Sequence, residues 1–169
     1  MSTKKRHIPL LILFTFSVYC SLVIGQSLDE HYHLIQGKIT LDYLFSLGNI
    51  DIKAARPSSE IDYGKYYSTF YWSFLYFITE IFPSKYETEI NHLVNLVFSL
   101  SAIFGIAKLN KELFNKKVGK IVFIILFFYP VFFGHMAINS KDTILAFSHV
   151  WMVYLILRYL KKQNIKEKA

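Results

Sequence analysis

The residues of this sequence that could do chemistry begin directly after an uncharged apolar segment at residues 8–25. Two adjacent carboxylates, Asp29 and Glu30, lie within residues 27–33, which read SLDEHYH. Acids at the edge of a membrane span are costly unless they are hydrated, paired or used. A carboxylate placed there can take a proton from an attacking group as a general base. Asp29 and Glu30 are therefore the first candidates for a catalytic site.

The same acids also have a structural explanation. Ser27 and Glu30 fit the S-x-x-E capping box of a helix start, and Asp29 in the first turn would favour the helix dipole. Both explanations stay open for the pair. His31 and His33 are two positions apart and point in different directions on a helix, which does not favour a two-histidine metal site.

A second group of polar residues precedes the last apolar segment. Asp142 follows Asn139 and Ser140, either of which could cap a helix, and is itself a candidate catalytic acid. Lys141 either extends its amine toward water or meets a lipid phosphate. The remaining candidates for substrate binding are Arg56, Lys65 and His135.

The composition favours a membrane protein. The 169 residues are 53% hydrophobic and 18% aromatic, and the apolar residues fall in blocks long enough to cross a bilayer core of about 30 Å. We predict an all-α integral membrane protein with about four transmembrane helices, plus juxtamembrane or interfacial helices in the first outer loop. The net charge of +7 is then a matter of membrane orientation, and no nucleic-acid partner is expected. Cys20 is the single cysteine, so no intramolecular disulfide can form.

A single membrane domain is predicted over residues 1–169. Its spans are residues 8–25, 90–107, 118–136 and 144–160; its outer loop is 26–89, in which 66–82 is half-inserted; and its cytoplasmic tail is 161–169. The first segment exceeds the apolar core of a usual signal peptide, which favours a retained helix over a cleaved one.

Two short helices are predicted in the outer loop, and side-chain pairing is predicted inside a span. One helix covers residues 27–36 and is stopped by Gly37, and an amphipathic one follows over 38–47. Asn91 and Asn95 share a helix face and are expected to hydrogen-bond a neighbouring helix.

Charge sets the expected topology. Residues 1–7, 108–120 and 158–169 together hold 13 of the 19 Lys and Arg residues and two of the 12 acids. This asymmetry matches the positive-inside rule if 66–82 does not fully cross, with both termini cytoplasmic. Asp29 and Asp142 are then expected on the same, non-cytoplasmic face.

These residues resemble those of a known group of enzymes. Asp29-Glu30, the later Asp62-Tyr63-Gly64 and residues 133–142, ending in Asn139-Ser140-Lys141-Asp142, follow one another in the order seen in GT-C-fold glycosyltransferases that use polyprenyl-phosphate sugars. The group includes protein O-mannosyltransferases and the aminoarabinose transferases of lipid A. Ser140 stands where its segment usually has proline. The group's members have many more spans, so the resemblance implies the N-terminal part of such an enzyme.

The resemblance implies an inverting transfer of a sugar from a lipid-linked sugar phosphate to an acceptor hydroxyl. Asp29 would be the general base, Glu30 would support it, and Asp142 would position the acceptor or support the base. Lys141, Arg56 or Lys65 would stabilise the leaving phosphate. No cofactor is required, although a divalent metal is compatible with the wider fold. The expected location is a bacterial inner membrane.

The expected partners are membrane lipid, the polyprenyl-phosphate sugar, and a missing C-terminal half or another membrane subunit. Two other classes of function compete with the enzyme. The first is a non-enzymatic membrane assembly or lipid-binding protein, because four spans with capped outer ends need no chemistry. The second is part of a transporter, which is disfavoured because no span carries an acid or base near its centre.

Overall fold

The computed structural model describes residues 8–50 and 69–166, and these fold into α-helices joined by short turns. The helices are α1 (Ile8–Val23), α2 (Leu28–Phe45), α3 (Phe70–Thr79), α4 (Glu87–Leu113), α5 (Lys116–Phe128), α6 (Pro130–His135) and α7 (Asp142–Lys166), with a 3₁₀ turn at Ser84–Tyr86. The described residues contain no strand, and the predicted all-α membrane protein is confirmed.

Among the described residues, two helical segments are long and apolar enough to cross a bilayer. They are Ser84–Leu113, which contains α4, and Asp142–Gln163 within α7. A third span is present if α1 and α2, which meet at a bend of 84°, are counted together. Helix α3 has 10 residues and at 1.5 Å per residue is too short to cross about 30 Å of hydrocarbon. The half-inserted placement of residues 66–82 stays a prediction.

The apolar block at residues 118–136 is not one helix. Helix α5 ends at Phe128, and α6 begins at Pro130. Tyr129 between them has φ −69° and ψ 113°, as expected because the proline ring disfavours the helical conformation at the residue before it. Pro130 then occupies the first turn of α6, where a missing N–H costs nothing.

The chain divides within α4 into two compact units, Met1–Val94 and Asn95–Ala169. The core of the first unit contains Leu34, Trp72 and Leu75, so α2 packs against α3. The His33 ring stacks on Trp72 with centroids 4.1 Å apart.

The prediction that Gly37 stops a helix is wrong, because α2 continues through it to Phe45. Gly37 instead lets α2 approach the backbone of α3. A Cβ built on Gly37 would lie 2.3 Å from the carbonyl oxygen of Trp72 and 3.0 Å from the nitrogen of Ser73. The missing side chain therefore serves a close helix–helix contact.

Gly37→Ala is expected to destabilise the first unit by about 1–3 kcal/mol, because the helices must separate to admit the methyl group. Thermal unfolding followed by tryptophan fluorescence measures the change. Gly134→Ala in α6 is the matched control, since a Cβ there has no atom within 4 Å. Equal melting temperatures for the two variants would contradict the packing role of Gly37.

In the second unit, the C-terminal half of α4 packs along α7. Trp151 Nε1 donates to Ser101 Oγ at 3.0 Å, and a Cβ on Gly105 would lie 2.6 Å from Val150 Cγ1. Near the end of α4, Lys161 Nζ donates to the backbone oxygen of Glu112 at 2.7 Å. Polar and small residues of α4 thus fix its contact with α7.

Candidate active site

Glu30 caps the N-terminus of α2. The backbone N–H of Ser27 donates to Glu30 Oε2 at 2.6 Å, and the backbone N–H of Glu30 donates to the backbone oxygen of Ser27 at 3.2 Å. The predicted capping role of Glu30 is confirmed by this contact. One carboxylate oxygen of the acidic pair is therefore committed to the helix start.

The second oxygen of Glu30 faces α4. Asn91 Nδ2 donates to Glu30 Oε1 at 3.3 Å, which confirms that Asn91 bonds a neighbouring helix. His92 Nε2 lies 2.7 Å from the same oxygen, at ion-pair distance although not aligned as a regular hydrogen bond. The Glu30 and His92 side chains are both 0% exposed. Glu30 is thus buried with both oxygens in polar contact.

The hydrogen positions on His92 follow from its surroundings. Its Nδ1 lies 2.9 Å from the backbone oxygen of Ser21 in α1, and a carbonyl oxygen can only accept, so Nδ1 carries a hydrogen. Its Nε2 faces a carboxylate oxygen at 2.7 Å. Two lone pairs at that distance would repel, so Glu30 and His92 hold one proton between them.

Asp29 differs from its neighbour in its exposure. It occupies the first turn of α2 and its side chain is exposed, whereas Glu30 is buried. His31 is exposed and His33 is buried against Trp72, so the two histidines point to different surroundings. Within the described residues there is no group of three or more His, Cys, Asp or Glu side chains that could hold a metal ion.

The second candidate group lies at the start of α7 and is organised by Asn139. Its Oδ1 accepts from the backbone N–H of Lys141 at 3.2 Å and of Asp142 at 3.0 Å. Its Nδ2 donates to Asp142 Oδ2 at 2.9 Å. Asp142 is exposed and Lys141 is half-buried. Asn139 caps this helix, so the capping that sequence allowed for it is confirmed.

Helix α4 fixes the turn that precedes this group. Asn95 Nδ2 donates to the oxygen of Ala137 at 2.9 Å, and Ser99 Oγ donates to the oxygen of Met136 at 2.8 Å. Both acceptors lie in the turn after α6, so Asn95 bonds a turn and not the neighbouring helix that was predicted. Sequence reasoning missed Ser99, which lies four positions after Asn95 and thus on the same helix face. His135 ends α6 and is exposed.

Two candidate residues, Arg56 and Lys65, lie outside the described residues, as does the Asp62-Tyr63-Gly64 sequence. The structure brings Glu30 together with Asn91 and His92 in the first unit. It brings Asn139, Lys141 and Asp142 together in the second. His92 is the residue of the first group that sequence reasoning did not assign to it.

Comparison with known proteins identifies the family. The model of the dolichyl-phosphate-mannose-protein mannosyltransferase family matches residues 69–167. The chain belongs to this family. Membership confirms the resemblance and makes the chain a membrane glycosyltransferase sequence of the GT-C type. No curated protein and no solved structure matches it.

The family match has a definite position relative to the candidate residues. It includes Asn91, His92, Lys141 and Asp142, whereas Asp29 and Glu30 precede its first residue. The contacts of Glu30 with Asn91 and His92 therefore join the matched part of this mannosyltransferase-family chain to the acidic pair.

Proposed function

We propose that this chain serves the transfer of a sugar from a polyprenyl-phosphate donor to an acceptor hydroxyl on the non-cytoplasmic face of the membrane. The description of the family adds that the sugar is mannose and that the acceptor is a protein. The transfer inverts the anomeric carbon in a single displacement, with Asp29 as the general base.

The contrast within the acidic pair carries this proposal. Glu30 is buried and is held by Ser27, Asn91 and His92. Asp29 is exposed in the first turn of the same helix. A group that takes a proton from a bound acceptor has to reach it within hydrogen-bonding distance. Of the two acids, Asp29 is the one open to a substrate.

The bonds change as follows. The acceptor oxygen attacks the anomeric carbon while its proton passes to the Asp29 carboxylate, and the bond from that carbon to the phosphate oxygen breaks. The electron pair leaves with the polyprenyl phosphate, so no acid is needed for the leaving group. The nearby negative charge of Asp29 also favours the positive charge that develops on the sugar ring.

The leaving phosphate needs positive charge as the bond breaks. Lys141, which is half-buried at the start of α7, is a candidate for supplying this charge. Arg56 and Lys65 are candidates from the sequence alone. Asn139 holds Asp142, and the resemblance implies that Asp142 positions the acceptor or supports the base. His135 is an exposed candidate for substrate binding.

The placement in the membrane rests on charge. Lys and Arg are concentrated in residues 1–7, 108–120 and 158–169, which favours a cytoplasmic location for both termini. The acidic pair then faces the opposite side, in a bacterial inner membrane. Membrane lipid and the lipid-linked donor are the proposed partners, together with further spans or another membrane subunit. No proposed step passes through a metal ion.

A transfer assay tests this function. Membranes that contain the full chain are supplied with radiolabelled polyprenyl-phosphate mannose and a peptide rich in Ser and Thr. Labelled peptide that depends on the chain and on Asp29 is the expected result. Absence of Asp29-dependent transfer, with stable co-purification of another membrane protein, would favour the non-enzymatic assembly function instead.

A further inference from the structure

The side chain of His92 bridges the bend of 84° between α1 and α2. Helices α1 and α2 meet at 84° across residues 24–27. His92 Nδ1 contacts the Ser21 oxygen on α1, and His92 Nε2 contacts Glu30 Oε1 on α2, at 2.9 and 2.7 Å. One imidazole ring on α4 is therefore tied to both sides of the bend.

Asp29 lies in the exposed first turn of α2, between the two residues that cap this helix. Ser27 and Glu30 hydrogen-bond each other on either side of it. Since Glu30 is anchored to α4 by Asn91 and His92, a shift of that anchor moves the backbone that carries Asp29. The position of Asp29 is thus linked to a histidine 63 residues later in the chain.

A requirement for stability alone explains this arrangement poorly. Exchanging a buried charged pair for apolar side chains of similar volume is often neutral or stabilising, so such a pair is weak evidence for a stabilising role. What the pair supplies is a defined geometry, because Glu30 Oε1 lies 2.7 Å from His92 Nε2 and accepts from Asn91 Nδ2 at 3.3 Å. An apolar pair would lack these directional contacts.

We propose that His92 is a positioning residue for sugar transfer: through Glu30 it fixes the first turn of α2 and holds Asp29 toward the acceptor. The proposal rests on the proposed function, since it requires Asp29 to act as the base. Asn91 assists by donating to the same oxygen of Glu30. His92 touches no substrate in this role.

The test compares His92→Phe, Glu30→Gln and the double variant in the full chain in membranes. Glutamine keeps an oxygen that can accept from Ser27 but removes the charge. His149→Phe is the matched control. Like His92 Nδ1, His149 Nδ1 lies 2.9 Å from a carbonyl oxygen, but that oxygen belongs to its own helix and the His149 side chain is exposed. The measurements are kcat and KM for polyprenyl-phosphate mannose per mole of folded protein, and the melting temperature.

His92→Phe is expected to lower kcat at least about tenfold with KM changed less than about twofold, because a small displacement of a catalytic group costs rate rather than binding. In the Glu30→Gln background, His92→Phe should lower kcat by a smaller factor, since no buried carboxylate loses its partner. His149→Phe should leave both constants unchanged. If His92→Phe does not fold, His92→Gln provides the same comparison.

An unchanged kcat per folded molecule in the His92 variant, with only its melting temperature lowered, would overturn the positioning role. Multiplicative effects of the two substitutions in the double variant would overturn it as well. These failures differ from failure of the proposed function. Full activity of Asp29→Asn would refute the function of Asp29, yet the coupling of residues 30 and 92 would persist in the melting temperatures.

Discussion

Asp29→Asn is expected to lower the kcat of sugar transfer by at least about 100-fold, the lower end of the contribution of a general base. Asparagine has nearly the same size but cannot accept the proton of the attacking hydroxyl. The exposed position of Asp29 in the first turn of α2 means that the substitution leaves the buried contacts of Glu30 in place. The melting temperature should therefore stay close to that of the unmodified chain.

Asp42→Asn is the matched control for this substitution. Asp42 is an exposed acid near the C-terminal end of the same helix, and no role in transfer is proposed for it. Its asparagine variant should retain kcat within about twofold, in the range of a neutral surface change. Full activity of Asp29→Asn, with loss of activity in Asp142→Asn, would show that the base was assigned to the wrong acid.

Lys141→Met should have the second large effect, a loss of kcat of about 100- to 1000-fold, as for removal of one group that stabilises charge developing in a transition state. Methionine keeps an unbranched chain but removes the positive charge that would face the departing phosphate. Lys141→Arg should restore part of the rate because arginine also pairs with phosphate. The measurement is kcat at saturating polyprenyl-phosphate mannose.

Lys38→Met provides the comparison for Lys141. Lys38 is exposed on α2 and is predicted on the same side of the membrane, so its loss changes the net charge equally. It should leave kcat unchanged. If the Lys38 and Lys141 variants lose activity to the same extent, the loss would be explained by a general effect of surface charge and not by a specific contact of Lys141 with phosphate.

Local signals in the sequence predicted the N-terminal capping of α2 and polar contacts of α4. The capping of α2 by Glu30 follows from the S-x-x-E spacing, since both partners lie within one turn. The pairing of Asn91 and Asn95 with other parts of the chain follows from the cost of an unpaired amide in a membrane helix. In each case the residue type and its position within the helix indicated a polar contact, while the catalytic alternative for Glu30 and the partner of Asn95 were left to the structure.

Other features depend on contacts between distant segments. Gly37 resembled a helix stop, but the approach of the Trp72 backbone decides its role. The break before Pro130 could have been predicted from the proline itself. His92 carried a signal too, since an ionisable residue in an apolar helix needs a partner. Only the structure identifies that partner as Glu30.

The configuration of the product is the most direct test of the single displacement, in which a carboxylate acts as a base and not as a nucleophile. A synthetic polyprenyl-phosphate mannose of known anomeric configuration is supplied with the acceptor peptide, and the new glycosidic bond is assigned by NMR. A single displacement assisted by a base inverts the anomeric carbon, so the product should have the opposite configuration to the donor. Retention of configuration would contradict this account, because it would require a covalent glycosyl-enzyme intermediate and a carboxylate that acts as nucleophile.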